Sequence, residues 1–377
     1  MGEDESLNAG SATKVALIVG VTGLVGKELA ELLAARFDWK VYGIARKPDD
    51  GPVSGRRAFH FIPCDLVDAE DATRKLSSLQ DITHVFWVTW ATQFPHDSQE
   101  CCDQNQTMIS NVLDVIVPRS PTLKHVSLQT GMKHYIPLGG PFEGCTDVYD
   151  EETPRIAGAK NFYYALEDVL RERLAGKAGW SVHRPGLIFG SSTRTWFNVM
   201  GGLCVYGALC RHLGLPFRFR GSRMCWEEPY LDPSDARLVA QQHFWAAMDE
   251  RVARAEGEAF NAVNGPTFTW KVIWPALAAK LQVDLPEEEM FSPESTFSGE
   301  MADKGGVWEG IVEREGLRRT KMEDLVNWWF MDALLRCPIK MLGSRKKADR
   351  LGFTETLEPL ESILYWVDRM REEKLIP

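Results

Sequence analysis

No stretch of eighteen apolar residues runs through this sequence, no block of basic residues interrupts it, and none of its eight tyrosines is followed four positions later by a lysine. The first absence excludes a membrane-spanning helix. The second, with a formal net charge of −10, argues against nucleic acid as a partner, because neutralising phosphates takes concentrated positive charge. The opening MGEDESLNAGSATK has neither an apolar segment nor an arginine bias, so residues 1–13 read as a flexible tail rather than a secretory or transit signal, and the expected location is cytoplasmic. No CxxC pair occurs among the eight cysteines (64, 101, 102, 145, 204, 210, 225 and 337), which read as reduced, mostly buried thiols. Adjacent Cys101 and Cys102 read as two small helical residues before they read as a redox switch. The eight histidines are not spaced as metal ligands, so no metal is expected.

The residues that are present alternate in a recognisable way. With 44% hydrophobic and 25% charged residues over 377 positions, the chain can build a large core and an elaborated second lobe. Residues 14–20, KVALIVG, are a short β-rich apolar run, and 21–36, VTGLVGKELAELLAAR, set Leu24, Val25, Leu29, Leu32 and Leu33 at helical spacing. Gly20, Gly23 and Gly26 between them form GxxGxxG, whose missing side chains permit a tight turn and a close approach of pyrophosphate to a helix N-terminus. A glycine triplet alone is a weak signal. Its strand–turn–helix context and a second strand, KVYGIA at 40–45, complete a βαβ unit. After that strand stand Arg46 and Lys47 instead of the acidic residue that would hold a ribose 2′-hydroxyl, and two cations suit the 2′-phosphate of NADPH.

The alternation continues through AFHFIPCD (58–65), AEDATRKLSSL (69–79), THVFWVTWA (83–91), a helix through NQTMISNVLDVIV (105–117), LKHVSLQT (123–130) and WSVHRPGLIFG (180–190). It predicts an α/β fold, a Rossmann-type doubly wound parallel sheet over residues 14–190. Ligands of such sheets sit beyond the carboxyl ends of the strands. Asp65, Leu66, Thr89, Trp90, Gln129, Pro185 and Ile188 therefore join Gly20, Thr22, Gly23, Leu24, Val25, Gly26, Arg46 and Lys47 as candidate cofactor-binding residues. Beyond residue 190 helical periods dominate (196–213, 233–249, 269–281, 321–336 and 357–373), which predicts a mainly helical substrate-binding lobe over 191–377. Nine of the 13 tryptophans lie there, and most, Trp328 and Trp329 among them, read as core. A lobe this aromatic beside a dinucleotide sheet suits a bulky apolar substrate. The acidic stretch VDLPEEEMFSPESTF (283–297) reads as an exposed connection.

In NFYYALEDVL (161–170), Tyr163 and Tyr164 are followed one helical turn later by Glu167 and Asp168, where a short-chain reductase would carry lysine. The usual relay cannot be built from this helix alone. GVTGLVG (20–26), VYGIARKP (41–48), SLQTGMKHY (127–135), NFYYALED (161–168), WSVHRPGLIFG (180–190), LCVYGALCRH (203–212) and NWWF (327–330) together resemble the plant progesterone 5β-reductase/iridoid synthase family, from about residue 14 to the end. The resemblance implies an NADPH-dependent reductase of the activated C=C bond of enones or enals in an extended short-chain reductase fold. It makes Tyr163 and Lys133 the catalytic pair: Tyr163 stabilises the enolate, and Lys133 holds the cofactor ribose and biases the tyrosine. It places Trp90, Phe142 and Phe330 against the substrate and implies a homodimer. One departure bears on Phe142 and on substrate preference, since family members run almost directly from KHY into GPF and this chain has the longer KHYIPLGGPFEG. A carbonyl reductase and a non-catalytic NADP-binding regulator share the same dinucleotide motifs.

Overall fold

Along the first strand, Val15, Leu17 and Val19 belong to one core layer and Ala16 and Ile18 to the other. A strand buried on both faces needs helices on both sides, which is the habit of parallel sheets. The computed structural model describes residues 14–49, 59–142, 145–286, 288 and 290–377; the tail expected over 1–13 lies outside the described residues. The strands in chain order are β1 (Lys14–Val19), β2 (Trp39–Ala45), β3 (His60–Pro63), β4 (His84–Trp87), β5 (His125–Gln129), β6 (Val148–Tyr149), β7 (Gly179–Pro185), β8 (Leu187–Phe189), β9 (Pro233–Asp235), β10 (Glu256–Ala262) and β11 (Leu342–Gly343). Seven of them form one parallel sheet in the order β10-β7-β5-β4-β1-β2-β3. Helix α1 (Leu24–Ala34) and the helix Ala236–Met248 cover one face, while α2 (Ala69–Leu76), α3 (Gln99–Arg119) and α4 (Phe162–Leu174) cover the other. Strand order reverses between β1 and β4, the switch point at whose carboxyl ends sheets of this kind bind their ligands.

The boundary expected at residue 190 is crossed. Strand β10 pairs with β7, and the helix Ala236–Met248 packs on α1, so the sheet takes its last strand and part of its cover from the second half of the chain. The segment EGEAFNA escapes a reading by pattern because Phe260 is its only large apolar residue. The remaining lobe is built around α5 (Val199–Leu213), whose residues from Val199 to Cys210 are all buried. Aromatic rings surround it, with Phe217 stacked on Trp274 at 4.5 Å and on Tyr206 at 4.9 Å. Trp328 is buried as expected, but Trp329 is 68% exposed and is not core. The stretch 283–297 is not a bare connection either: Phe217 N donates to Asp284 O and Phe219 N to Met290 O, and Phe291 stacks on Trp226.

A polar seam lies under the helix Ala236–Met248. His125 Nε2 is 2.9 Å from Ser181 Oγ, which is 3.1 Å from His183 Nε2; Ser127 Oγ is 2.7 Å from His243 Nδ1, and His183 Nδ1 is 2.8 Å from Gln242 Oε1. These histidines are fully buried, and burial lowers His183 to about 3, His125 to about 4 and His243 well below the usual imidazole range. They are neutral hydrogen-bonding groups here.

Candidate active site

The glycine turn closes tightly on the neighbouring strand. At Gly20, where φ is +98°, an added Cβ would lie 2.7 Å from Thr89 Cβ and 2.9 Å from the Val88 carbonyl oxygen, and at Gly26 it would lie 2.1 Å from the Gly20 carbonyl oxygen. Only glycine lets β1, β4 and α1 meet in this way. Helix α1 starts at Gly23 with no side-chain cap and no acidic residue in its first turn, which leaves partly positive N–H groups at the switch point. Leu24 and Val25 have buried side chains and offer only their backbone. The Thr22 carbonyl accepts a bond from Ser192 Oγ at 2.9 Å, so the loop after β8 lies on the turn. Arg46 and Lys47 are exposed at the end of β2, and neither forms an ion pair among the described residues. Asp65 is exposed, its carboxylate accepting from Val67 N at 3.1 Å, and Leu66 beside it is buried. At the end of β5, Gln129 Oε1 and Thr130 Oγ1 are buried without a partner among the described residues. An uncapped helix end, a cradle that a Cβ would fill and two unpaired polar atoms fit a dinucleotide.

The loop of Lys133 is fastened to the helix of Tyr163. Asn161 caps α4 by accepting from Tyr163 N at 3.0 Å, and its Nδ2 donates to the Lys133 carbonyl at 3.0 Å. Tyr164 Oη donates to the His134 carbonyl at 2.6 Å and accepts from Ile156 N at 3.1 Å, so this tyrosine is a staple with its hydroxyl already engaged. Tyr163 points the other way. A Cβ on Gly131 would stand 2.9 Å from Tyr163 Oη and 3.4 Å from the Pro185 carbonyl oxygen, which places the phenol over the glycine of LQTG, two residues before Lys133. Gly131 has extended backbone (φ 173°), so it is space and not conformation that calls for glycine there. Burial pushes the Tyr163 phenol well above its usual range, and Cys101 is the neighbour that adds to the effect. Lys133 is open to the cleft yet hemmed in by protein, and that desolvation lowers its pKa while the Cys337 thiol opposes. Its ammonium has no ion pair among the described residues; it lies 5.8 Å from the Phe197 ring.

Behind the pair is a buried polar network absent from the sequence reading. Glu167 takes Arg155 at 2.8 Å and Arg184 at 3.4 Å, with His134 Nδ1 at 3.4 Å. Burial alone would raise this carboxyl, but His134 and the two arginines outweigh it and hold it at about 2. His134 is itself lowered by burial, so the arginines carry the balancing charge. Arg184 also donates to Tyr135 Oη at 3.1 Å, which donates to Asn261 Oδ1 at 2.7 Å. The Glu167 that displaces the expected lysine from α4 therefore anchors the KHY turn from below.

Aromatic rings form the other wall. Trp90 stacks on Phe162 (4.9 Å, 17°) and on Phe197 (5.5 Å, 6°), Phe197 meets Phe330 edge-on at 5.0 Å, and His96 lies 4.9 Å from Trp90. Trp90 and Phe330 are thus brought together through Phe197, which sequence reasoning did not single out. Phe142 is half-buried against the main core and makes no ring contact with Trp90, Phe197 or Phe330. Ile188 is half-buried beside the buried Pro185 strand end.

The profile of the PRISE-like Rossmann-fold domain family matches residues 65–377. The chain belongs to that family. Among its relatives are an (S)-8-oxocitronellyl enol synthase of Camptotheca acuminata, 43% identical over 96% of this chain and 93% of the relative, and the 3-oxo-Delta(4,5)-steroid 5-beta-reductase of Arabidopsis thaliana, 39% identical over 99% and 96%. The family's fold extends further: UDP-glucose 4-epimerase of Thermus thermophilus in complex with NAD superposes with a TM-score of 0.62 at 16% identity, covering 95% of this chain and 99% of that one. No helix among the described residues is long and apolar enough to cross a membrane.

Proposed function

We propose that this protein is an NADPH-dependent reductase of the activated C=C bond of apolar enones or enals. The observation that carries the reading is the approach of the Tyr163 phenol to Gly131, which sets the tyrosine of NFYY over the loop that bears Lys133. The names of the relatives, an enol synthase and a steroid 5-beta-reductase, support the same chemistry. The glycine turn, Thr89, Gln129 and Thr130 would hold the dinucleotide, with Arg46 and Lys47 at the 2′-phosphate. Once bound, the nicotinamide supplies a hydride to the β-carbon of the alkene.

The chain's own residues govern the rest of the reaction. Negative charge gathers on the carbonyl oxygen, and Tyr163, kept protonated by burial, donates a hydrogen bond to it; one preorganised donor of this kind contributes about 3–4 kcal/mol. The unpaired ammonium of Lys133 serves the cofactor ribose. Trp90, Phe330 and Phe197, with Phe142 at the edge, hold the apolar body of the substrate and exclude water. The proton that completes the α-carbon comes from solvent. A cytoplasmic location and a homodimer belong to the same proposal, and the eight free cysteines favour a reducing compartment. The test is NADPH consumption over a panel of small, open-chain and steroid enones with analysis of the product. A saturated carbonyl product supports the reading. An allylic alcohol identifies a carbonyl reductase, and NADPH binding without turnover identifies a regulator.

A further inference from the structure

One cluster of ion pairs has no task in the chemistry above, and it reaches within two residues of Lys47. Asp49 Oδ1 accepts from Arg318 Nη2 at 2.8 Å, and Asp49 Oδ2 lies 3.5 Å from Lys27 Nζ. Lys27 belongs to α1 and directly follows Gly26 of the dinucleotide turn, whereas Arg318 follows the helix Gly305–Arg314 in the second half of the chain. The three side chains are 14–18% exposed, so water and salt screen these pairs less than they would a surface pair. Burial alone would raise the Asp49 carboxyl, but Lys27 and Arg318 outweigh it and hold it below its usual value. Just before it, the Pro48 carbonyl accepts from Arg194 Nη2 at 3.3 Å. Loop 46–49 is thus pinned at two consecutive residues, while Arg46 and Lys47 stand exposed and without an ion pair among the described residues. The C-terminal segment is fastened without Asp49: Glu373 takes Lys27 at 3.1 Å and Ser191 Oγ at 2.6 Å, and Arg318 N donates to the Lys374 carbonyl at 2.8 Å.

We infer that Asp49 is a positioning residue for the choice of cofactor: clasped by Arg318 and Lys27, it fixes loop 46–49 so that Arg46 and Lys47 stand ready for the 2′-phosphate before the cofactor arrives. The inference rests on the reading of Arg46 and Lys47 given above, and it extends that reading to Asp49 and Arg318, which act through the loop and not on the phosphate. A loop fixed beforehand binds more tightly than one ordered on binding, because its conformational entropy is already lost. The sign of the charge is what makes Asp49 informative. Two residues of chain span at most about 7 Å, which is inside the screening length of about 8 Å at physiological salt. A carboxylate there repels a phosphate held by Lys47, so its presence beside such a site calls for a compensating role. NADH lacks the 2′-phosphate and makes no call on the loop, which confines the effect to NADPH.

The experiment measures the Kd of NADPH and of NADH by fluorescence titration in the unaltered protein, Asp49→Asn, Arg318→Gln and Arg318→Lys, with melting temperatures to show that each is folded. Asparagine keeps the shape of Asp49 and removes its charge. If the carboxylate were only a neighbour of the phosphate, that change would relieve repulsion and tighten NADPH. The clasp requires the opposite sign: Asp49→Asn should raise the Kd of NADPH roughly 5- to 10-fold and leave that of NADH as it was. Arg318→Gln should weaken NADPH in the same way from the other half of the chain, and Arg318→Lys should restore most of the affinity. An Asp49→Asn protein that binds NADPH as well as the unaltered one, or better, overturns the inference and leaves Arg46 and Lys47 in their role. Equal weakening of both cofactors overturns it too, because the pairs then only hold the fold. Asp49→Ser carries the same test of sign if asparagine compromises folding. Equal affinity of the unaltered protein for the two cofactors removes Arg46 and Lys47 from the 2′-phosphate, and this inference with them.

Discussion

A hydroxyl that burial keeps protonated and a glycine that leaves room for it stand together where the reaction is proposed to occur. Tyr163→Phe removes the donor without disturbing the dinucleotide turn, so kcat is expected to fall by roughly 10²–10³ while NADPH affinity, measured by fluorescence titration, is kept. Gly131→Ala tests the same position from beneath. Its methyl group would sit 2.9 Å from Tyr163 Oη, closer than unbonded atoms approach, so the phenol must move, and a shift of this kind costs catalysis without removing any catalytic atom. A Gly131→Ala variant with full kcat would show that the phenol need not stand where it does. At the cofactor's other end, Arg46→Ala is expected to weaken NADPH by about 1.5–3 kcal/mol, the worth of a hydrogen bond to a charged group, and to leave NADH nearly unchanged. Equal use of both cofactors by the unaltered protein would remove Arg46 and Lys47 from that role.

The element that matters most is the start of α4, where three neighbouring side chains do three different things: Asn161 caps and grips Lys133 O, Tyr163 faces Gly131, and Tyr164 grips His134 O. Tyr164→Phe and Asn161→Ala are expected to cost about 1 kcal/mol each in thermal unfolding, the usual size of a buried hydrogen bond or an N-cap. They should also lower kcat, because the lysine loop loses one of its fastenings, and the double variant should lose less than the sum of the singles if the two bonds hold one and the same loop. Much of the fold was legible from the sequence: β1, the glycine turn, α1 and the strand–helix alternation come from periodicity, while the proposal that Lys133 works with Tyr163 rests on the family motifs. What was not legible depends on contacts between distant segments. Glu167 looks like a surface acid until Arg155 and Arg184 are brought to it, Gly131 looks like a turn residue until Tyr163 is laid over it, and β10 has too little apolar surface to announce a strand. Trp329 misled for a different reason: it follows Trp328 on one helix, where successive side chains lie about 100° apart, and with Trp328 turned inward its neighbour is carried out to solvent.

At the scale of the molecule, the buried neutral histidines set the response to acid. In the unfolded chain a histidine titrates near 6.5. In the folded protein His84 and His183 are lowered to about 3, His125 to about 4 and His243 further, burial being the first cause in each case. Below pH 6.5 the unfolded chain therefore takes up protons that the folded chain refuses, and stability is expected to fall as pH drops from 6.5 towards 4, by about 1.4 kcal/mol per pH unit for each uncompensated proton. Glu28 and Asp232, raised by burial to about 7 and about 6, act in the opposite sense over part of that range and do not match the four imidazoles. Melting temperatures that stay flat from pH 7 to pH 5 would contradict this account. The interleaving of the two halves of the chain has its consequence during synthesis. When β7 leaves the ribosome, the sheet still lacks β10, and the face over α1 still lacks the helix Ala236–Met248, so an apolar surface stays uncovered for the time it takes to translate onward from Pro185 to Ala262, on the order of several seconds. A chain truncated anywhere before the end of β10 is therefore expected to be recovered as aggregate or degraded product rather than as a smaller nucleotide-binding protein, which expression of residues 1–255 beside the full chain would check.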